Sequence, residues 1–310
     1  MTSTTVTSAS AASGTDVRSD MPFPAPFRIA AIQTVTGIGV DANLARADAL
    51  LAEAAAQGAQ LALLPEYFCM MGRKDSDKVA IREDDQRGPI QAFLADAARR
   101  HKLWLVGGTL PLWCEDEQRV RNTSLAYNPA GLRVARYDKI HLFNFVRGEE
   151  RYDEARTIEA GDTPVAFDAP CGRVGMSVCY DLRFPELYRA LSSQGNLNLI
   201  LMPAAFTYVT GAAHWEILLR ARAVENQCYV LAAAQGGRHE NGRRTWGHSM
   251  LVDPWGEIIA SVPEGEGIAI GDMDPARLAQ VRRDLPALKH RVMYAQPNSF
   301  ASFAISENPP

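Results

Sequence analysis

Long runs of a single character are missing from this sequence. No cluster of Lys and Arg is long enough to track a phosphate backbone, and the net charge is −4, so nucleic acid is not an expected partner. No apolar run approaches the roughly 20 residues that a bilayer-spanning helix needs, so no membrane span is expected. Cysteine is sparse and unpaired. The five (Cys69, Cys114, Cys171, Cys179, Cys228) are scattered without a C-x-x-C pair, which argues against a disulfide framework or a structural zinc site and for a reducing cytoplasm. The opening MTSTTVTSASAASGTDVRSD has neither the basic n-region nor the continuous apolar h-region of a secretory signal. Missing too are the G-x-S-x-G elbow of serine hydrolases and the H-E-x-x-H metal pattern.

What remains is globular material, 310 residues with 47% hydrophobic and 22% charged, enough for a large core. Residues 1–26 are Ser/Thr/Ala-rich and read as a disordered tail, with Met21 an alternative start. Strands are expected at 27–34, 61–66, 103–110, 197–206 and 228–235, and helices at 41–58, 89–102, 212–227 and 274–285. Asp41 reads as the first helix's N-cap, and the helix at 212–227 as strongly amphipathic. The segments 122–142 and 247–262 read as hairpins. Strand–helix alternation with inserted hairpins gives one mixed α/β domain over 27–290, followed by a C-terminal extension, 291–310, suited to an oligomer arm.

In GRVGMSVCYDLRFPELYR (172–189) a thiol stands where an apolar run gives way to a charged segment expected to be helical. Glu66 in LALLPEYF and Lys139 in ARYDKIHLF have the same placement, at strand ends, where α/β folds assemble their sites. Singly, each is more often structural than reactive. Together they supply what acyl transfer requires: Cys179 as nucleophile, Glu66 as the base that makes it a thiolate, and Lys139 to meet the oxyanion. The backbone N–H after the cysteine, that of Tyr180, is a second oxyanion donor.

The fragments LLPEYF, YDKIHLF and SVCYDLRFPELYR, in that order, resemble the nitrilase superfamily of carbon–nitrogen hydrolases, and the likeness runs from about Phe27 to Pro286. It implies a four-layer αββα sandwich of two mixed sheets with helices outside. It implies a Glu-Lys-Cys triad of Glu66, Lys139 and Cys179, no metal or organic cofactor, and a homodimer or larger oligomer. A supporting glutamate is also implied; Glu154 in GEERYDEARTIEAG is the equivalent position, with Glu149 and Glu150 as competitors. Where relatives often carry Asp after KIHLF, this chain has Asn144. The implied activity is cleavage of a small anionic amide to carboxylate and ammonia through a cysteine thioester. TGAAHWEILLRARAVENQCYVLAAAQGGRH and WGHSMLVDPWGE are similar to amidases of deaminated glutathione; the neighbouring ω-amidase branch, acting on α-ketoglutaramate, shares fewer of these pieces. Either substrate needs a cation in the pocket. Arg183 is the candidate, its bland alternative being an ion pair with Asp181 or Glu186.

Rival signals are weaker. TGIGVDA is a G-x-G-x-x-A following a strand and faintly suggests a dinucleotide fold, although the next acidic residue comes too late for a ribose contact. His141, His214 and His248 are alternative activators of the thiol. A non-catalytic oligomeric module is the reading furthest from an enzyme.

Overall fold

The computed structural model describes residues 22–148 and 150–292. Within them lie strands β1 (Phe27–Gln33), β2 (Leu61–Leu63), β3 (Trp104–Val106), β4 (Leu110–Leu112), β5 (Arg121–Tyr127), β6 (Arg133–Asp138), β7 (Asn144–Arg147), β8 (Glu150–Asp153), β9 (Ala166–Ala169), β10 (Gly172–Met176), β11 (Leu199–Ala204), β12 (Tyr229–Ala234), β13 (Met250–Val252), β14 (Ile258–Ser261) and β15 (Gly267–Met273). The helices are α1 (Val40–Ala56), α2 (Asp77–Ala80), α3 (Pro89–His101), α4 (Pro185–Leu191), α5 (Tyr208–Asn226) and α6 (Pro275–Asp284).

One sheet runs β15-β1-β2-β3-β5-β4 with β6 along the free side of β5; the other runs β14-β13-β12-β11-β10-β9. Each is parallel at its centre (β1–β2–β3 and β10–β11–β12) and antiparallel toward its edges, so both are mixed. The central strands are apolar on both faces, as strands covered from two sides must be. Along β1 the period of two divides the labour. Ile29 and Ala31 face the second sheet, while Ala30 and Ile32 face Leu50 and Leu51 of α1 and join the layer that holds Ile90 and Leu94 of α3. Helix α5 covers the second sheet with Trp215 and Leu219. The four-layer αββα order is the one the sequence resemblance implies.

The expected strand 103–110 is two short pieces, β3 and β4, lying along the same strand β5. Gly108 causes the break: its φ is +47°, and a Cβ there would lie 2.0 Å from the Pro65 carbonyl oxygen. The closeness is useful, since it packs this break under the loop that carries Glu66.

Four further expectations change. Helix α1 begins at Val40 with Gly39 as N-cap, and Asp41 sits in the first turn, where its charge meets the helix dipole without capping it. Helix α5 begins four residues earlier than its apolar pattern, because the Thr207 hydroxyl caps it by accepting from Thr210 N at 3.3 Å. Its sides are also less segregated than expected: Arg222 and Asn226 are buried, whereas Ile217 and Val224 are exposed. At the other end of the chain, Phe23, read as part of the tail, is buried against the core. The readings placed on residues 1–21, the alternative start at Met21 and the arm over 293–310 lie outside the described residues. No described helix is long and apolar enough to cross a membrane.

Candidate active site

The site is built where the two sheets meet. The chain leaves β2 through Leu64 and Pro65 into Glu66, whose neighbour Tyr67 adopts φ +57°. That strained turn is pinned from both sides. Tyr67 N donates to Thr109 Oγ1 at 3.0 Å, just past the Gly108 break, and the Glu66 carbonyl accepts from Gln235 Nε2, 3.0 Å away at the end of β12 in the other sheet. The Glu66 carboxylate is buried. Its Oε1 accepts from Asn122 Nδ2 and from Lys139 Nζ, both at 2.9 Å, and its Oε2 from Ala205 N at 2.9 Å.

Lys139 follows β6 and continues the ladder with its N–H on the Asn122 carbonyl at 3.0 Å. Its side chain is fully enclosed. Besides Glu66, the ammonium meets Glu154 Oε2 at 2.7 Å and Oε1 at 3.0 Å. Glu154 is fixed in turn by Tyr67 OH at 2.9 Å and Phe143 N at 2.8 Å, and its own N–H returns to the Phe143 carbonyl. Of the glutamates competing for the supporting place, Glu154 is the one seen against Lys139. Glu149 lies outside the described residues. Asn144 is exposed at the start of β7 and leaves this arrangement untouched.

Two carboxylates on one ammonium are driven apart in acidity. Glu154 is held below the ordinary glutamate range, Lys139 offsetting its burial. Glu66 is pushed above it by burial and by the Glu154 charge, against the pull of Lys139. Lys139 itself stays firmly protonated, since the two carboxylates outweigh the loss of water around it. The arrangement leaves one carboxylate locked in an ion pair and the other poised to exchange a proton.

Cys179 comes from the second sheet. It opens a single turn of 3₁₀ helix (Cys179–Arg183) between β10 and α4, with φ +49°, and is almost wholly buried. Asp181 holds the turn by accepting from Val178 N (2.8 Å), Tyr137 OH (2.7 Å) and His141 N (3.0 Å). Arg222 on α5 grips it from behind with two donors on the Leu182 carbonyl, at 3.0 and 2.8 Å. The thiol is near enough to Glu66 to lower that carboxyl's pKa by hydrogen bonding. Burial and the Glu66 charge push the thiol's own pKa well up, so it rests protonated beside that carboxyl.

Cys179, Phe143, Ala205 and Thr207 border two cavities. The larger, about 610 Å³ of space open to solvent, is lined also by Glu66, Tyr67, Lys78, Glu154 and Arg243. The smaller, about 210 Å³, is lined by Tyr180, Arg183, Phe206 and Thr210. Tyr180 stacks edge-on against Phe143 and Phe184. Arg183 forms neither expected ion pair. It meets His214 Nδ1 at 3.2 Å and lies over the Tyr180 and Phe206 rings, because Asp181 is engaged by Tyr137 and His141.

The histidine alternative fails on geometry. The His141 ring turns to Asp181 at 2.7 Å and stacks on Phe184; His248 bonds the Trp246 carbonyl and stacks on Trp246; His214 holds Arg183. The dinucleotide alternative also fails: Asn43 bridges the Gly37 N–H and carbonyl and Glu240 takes the Ile38 N–H, so the glycine turn is filled by the protein's own side chains. Asn122, Thr109, Gln235 and Lys78 were missed by sequence reasoning. They belong to no local pattern and gain their meaning only from partners far along the chain.

Residues 28–283 match the model of the carbon-nitrogen hydrolase family. A deaminated glutathione amidase of Synechocystis sp. is 42% identical over 274 residues, spanning 86% of this chain and 98% of that one. The omega-amidase NIT2 of Homo sapiens is 38% identical, spanning 86% and 95%. Among solved structures, a mutant amidase from Nesterenkonia sp. AN1, in which acrylamide has added to the active site cysteine, superposes with a TM-score of 0.70 at 29% identity, covering 86% of this chain and all of that one.

Proposed function

Since this chain belongs to the carbon–nitrogen hydrolase family, we propose that it cleaves a small anionic amide with Glu66, Lys139 and Cys179 as its catalytic residues and Glu154 as their support. The observation that carries this reading is that one thiol and one poised carboxyl line a single cleft, with an enclosed ammonium 2.9 Å behind that carboxyl.

Glu66 takes the proton from Cys179 Sγ as the sulfur attacks the amide carbonyl carbon. The carbonyl π pair moves to oxygen, where the Lys139 charge and the Tyr180 N–H stabilise it. Collapse of that intermediate breaks the carbon–nitrogen bond, and Glu66 gives its proton to the departing amine. A thioester remains. Glu66, again a carboxylate, takes a proton from water as the water attacks; the thiolate departs and is reprotonated. The covalent route divides one hard step into two easier ones, and positioned acid–base help is typically worth about 10²–10⁴-fold. Glu154 keeps Lys139 charged and aimed.

On the substrate, the reading favoured by the 42% identical relative is a deaminated glutathione, and by the 38% identical one a ω-amide such as α-ketoglutaramate. Both are anionic, and Arg183 in the small cavity answers the acyl-side charge. Comparing kcat/KM for deaminated glutathione, α-ketoglutaramate and a simple nitrile tests the reading. We expect the two anionic amides to exceed the nitrile by orders of magnitude; a preference for the nitrile would remove it. The unbridged cysteines fit a cytoplasmic enzyme. The exposed Ile217, Val224, Trp255 and Ile259 fit a homo-oligomer, whose mass light scattering would give.

A further inference from the structure

The two cavities at the thiol have different chemical duties. In the mechanism above, the departing nitrogen collects its proton from Glu66. Glu66 lines the larger cleft and not the smaller. The leaving amine therefore lies in the larger cleft, and the acyl chain extends into the smaller one toward Arg183. The larger cleft opens to solvent, so a leaving amine bigger than ammonia can extend along it.

Three cations outside the catalytic cluster line that larger cleft: Lys78, Arg243 and Arg244. Arg243 Nη2 is 2.7 Å from Asp75, and Arg244 is held by both oxygens of Glu264, at 2.8 and 2.6 Å. Lys78 is different. Among the described residues its ammonium has no hydrogen bond or ion pair, and it sits over the Tyr67 ring, 5.1 Å from the centroid. The acids nearest it are already committed, Asp75 to Arg243 and Glu154 to Lys139, while Asp153 stands exposed at the rim. An unpaired, partly buried lysine facing a cleft is poor stabilisation for the folded chain and a good receptor for an anion.

We infer that Lys78 is a specificity-determining residue that grips a carboxylate carried by the leaving amine. The assignment rests on the amidase reading given above. Burial lowers the Lys78 pKa, with Glu154 and Asp75 opposing, and an arriving carboxylate offsets that loss of water. An ammonium beside an aromatic face keeps its position while remaining free to bond an oxygen.

The test uses three amides of α-ketoglutarate that share one acyl group: the primary amide, the amide with glycine, whose leaving amine carries a carboxylate, and the amide with glycinamide, of like size and uncharged. The intact wild-type enzyme is expected to prefer the glycine amide to the glycinamide amide in kcat/KM. Lys78→Met is expected to reduce that preference roughly 10- to 100-fold, the worth of a hydrogen bond to a charged group, mostly through KM. Lys78→Arg should keep most of it, and Lys78→Gln, which also removes the charge, serves equally if the methionine variant folds poorly. An unmoved preference would overturn the inference, as would an equal loss on all three amides, the signature of a structural role exerted through Tyr67 and Glu154. Wild-type inactivity on all three would instead strike the acyl-side reading itself, and would be evident before any variant is compared.

Discussion

Glu66 and Glu154 share one ammonium, yet their environments give them opposite acidities. Glu154 accepts from Tyr67, Phe143 and Lys139 and stays ionised; Glu66, fully enclosed and repelled by Glu154, is raised. A base must be unprotonated to act, so activity should rise with pH through the raised Glu66 pKa. Glu154→Gln removes the repelling charge and should move this acid limb of kcat/KM to lower pH, while kcat falls because Lys139 loses its principal partner. A limb that stays in place or moves upward in the measured pH profile would show that Glu66 is not the titrating base. At this scale the sequence is partly legible. Glu66, Lys139 and Cys179 stand out because each is an ionisable group at a strand end. Asn122, which donates to Glu66 Oε1, is an unremarkable residue in a strand until the fold brings Glu66 to it from 56 positions away.

At the scale of elements, the site depends on short, strained connections that rigid neighbours hold. The turn Cys179–Arg183 is stapled by Asp181 in front and Arg222 behind. Asp181→Asn keeps the shape but can no longer accept with both ends from Val178, Tyr137 and His141. A buried polar group left short of partners costs about 1–3 kcal/mol, and at about 2–4 °C per kcal/mol the melting temperature should fall by several degrees. Because the thiol's turn loosens, kcat should fall more than KM rises; calorimetry and steady-state kinetics check both. Element boundaries were the least legible part of the chain. Periodicity finds α5, but its true start is set by the Thr207 hydroxyl, and its exposed Ile217 and Val224 break the pattern. The strand at 103–110 splits because Gly108 must approach the Pro65 carbonyl, a contact invisible in a local window.

At the scale of the whole molecule, neither sheet holds the chemistry alone. Glu66 and Lys139 extend from strands of one sheet and Cys179 from the other, while β1 and β12 pack against each other across the sheet interface, with the small Ala31 on the β1 side. The layering followed from the family resemblance, since composition and alternation alone lead only to a mixed α/β domain. That Gln235 of one sheet steadies the Glu66 backbone of the other could not be read from any segment. In the proposed reaction the thiol becomes acylated once per turnover. Rapid quenching during hydrolysis of α-ketoglutaramate, followed by mass spectrometry of the digested protein, tests it directly. The peptide containing Cys179 should gain the mass of the acyl group, and the Cys228 peptide should not; turnover without any such adduct in Cys179→Ala, at a rate near that of the unaltered enzyme, would contradict it.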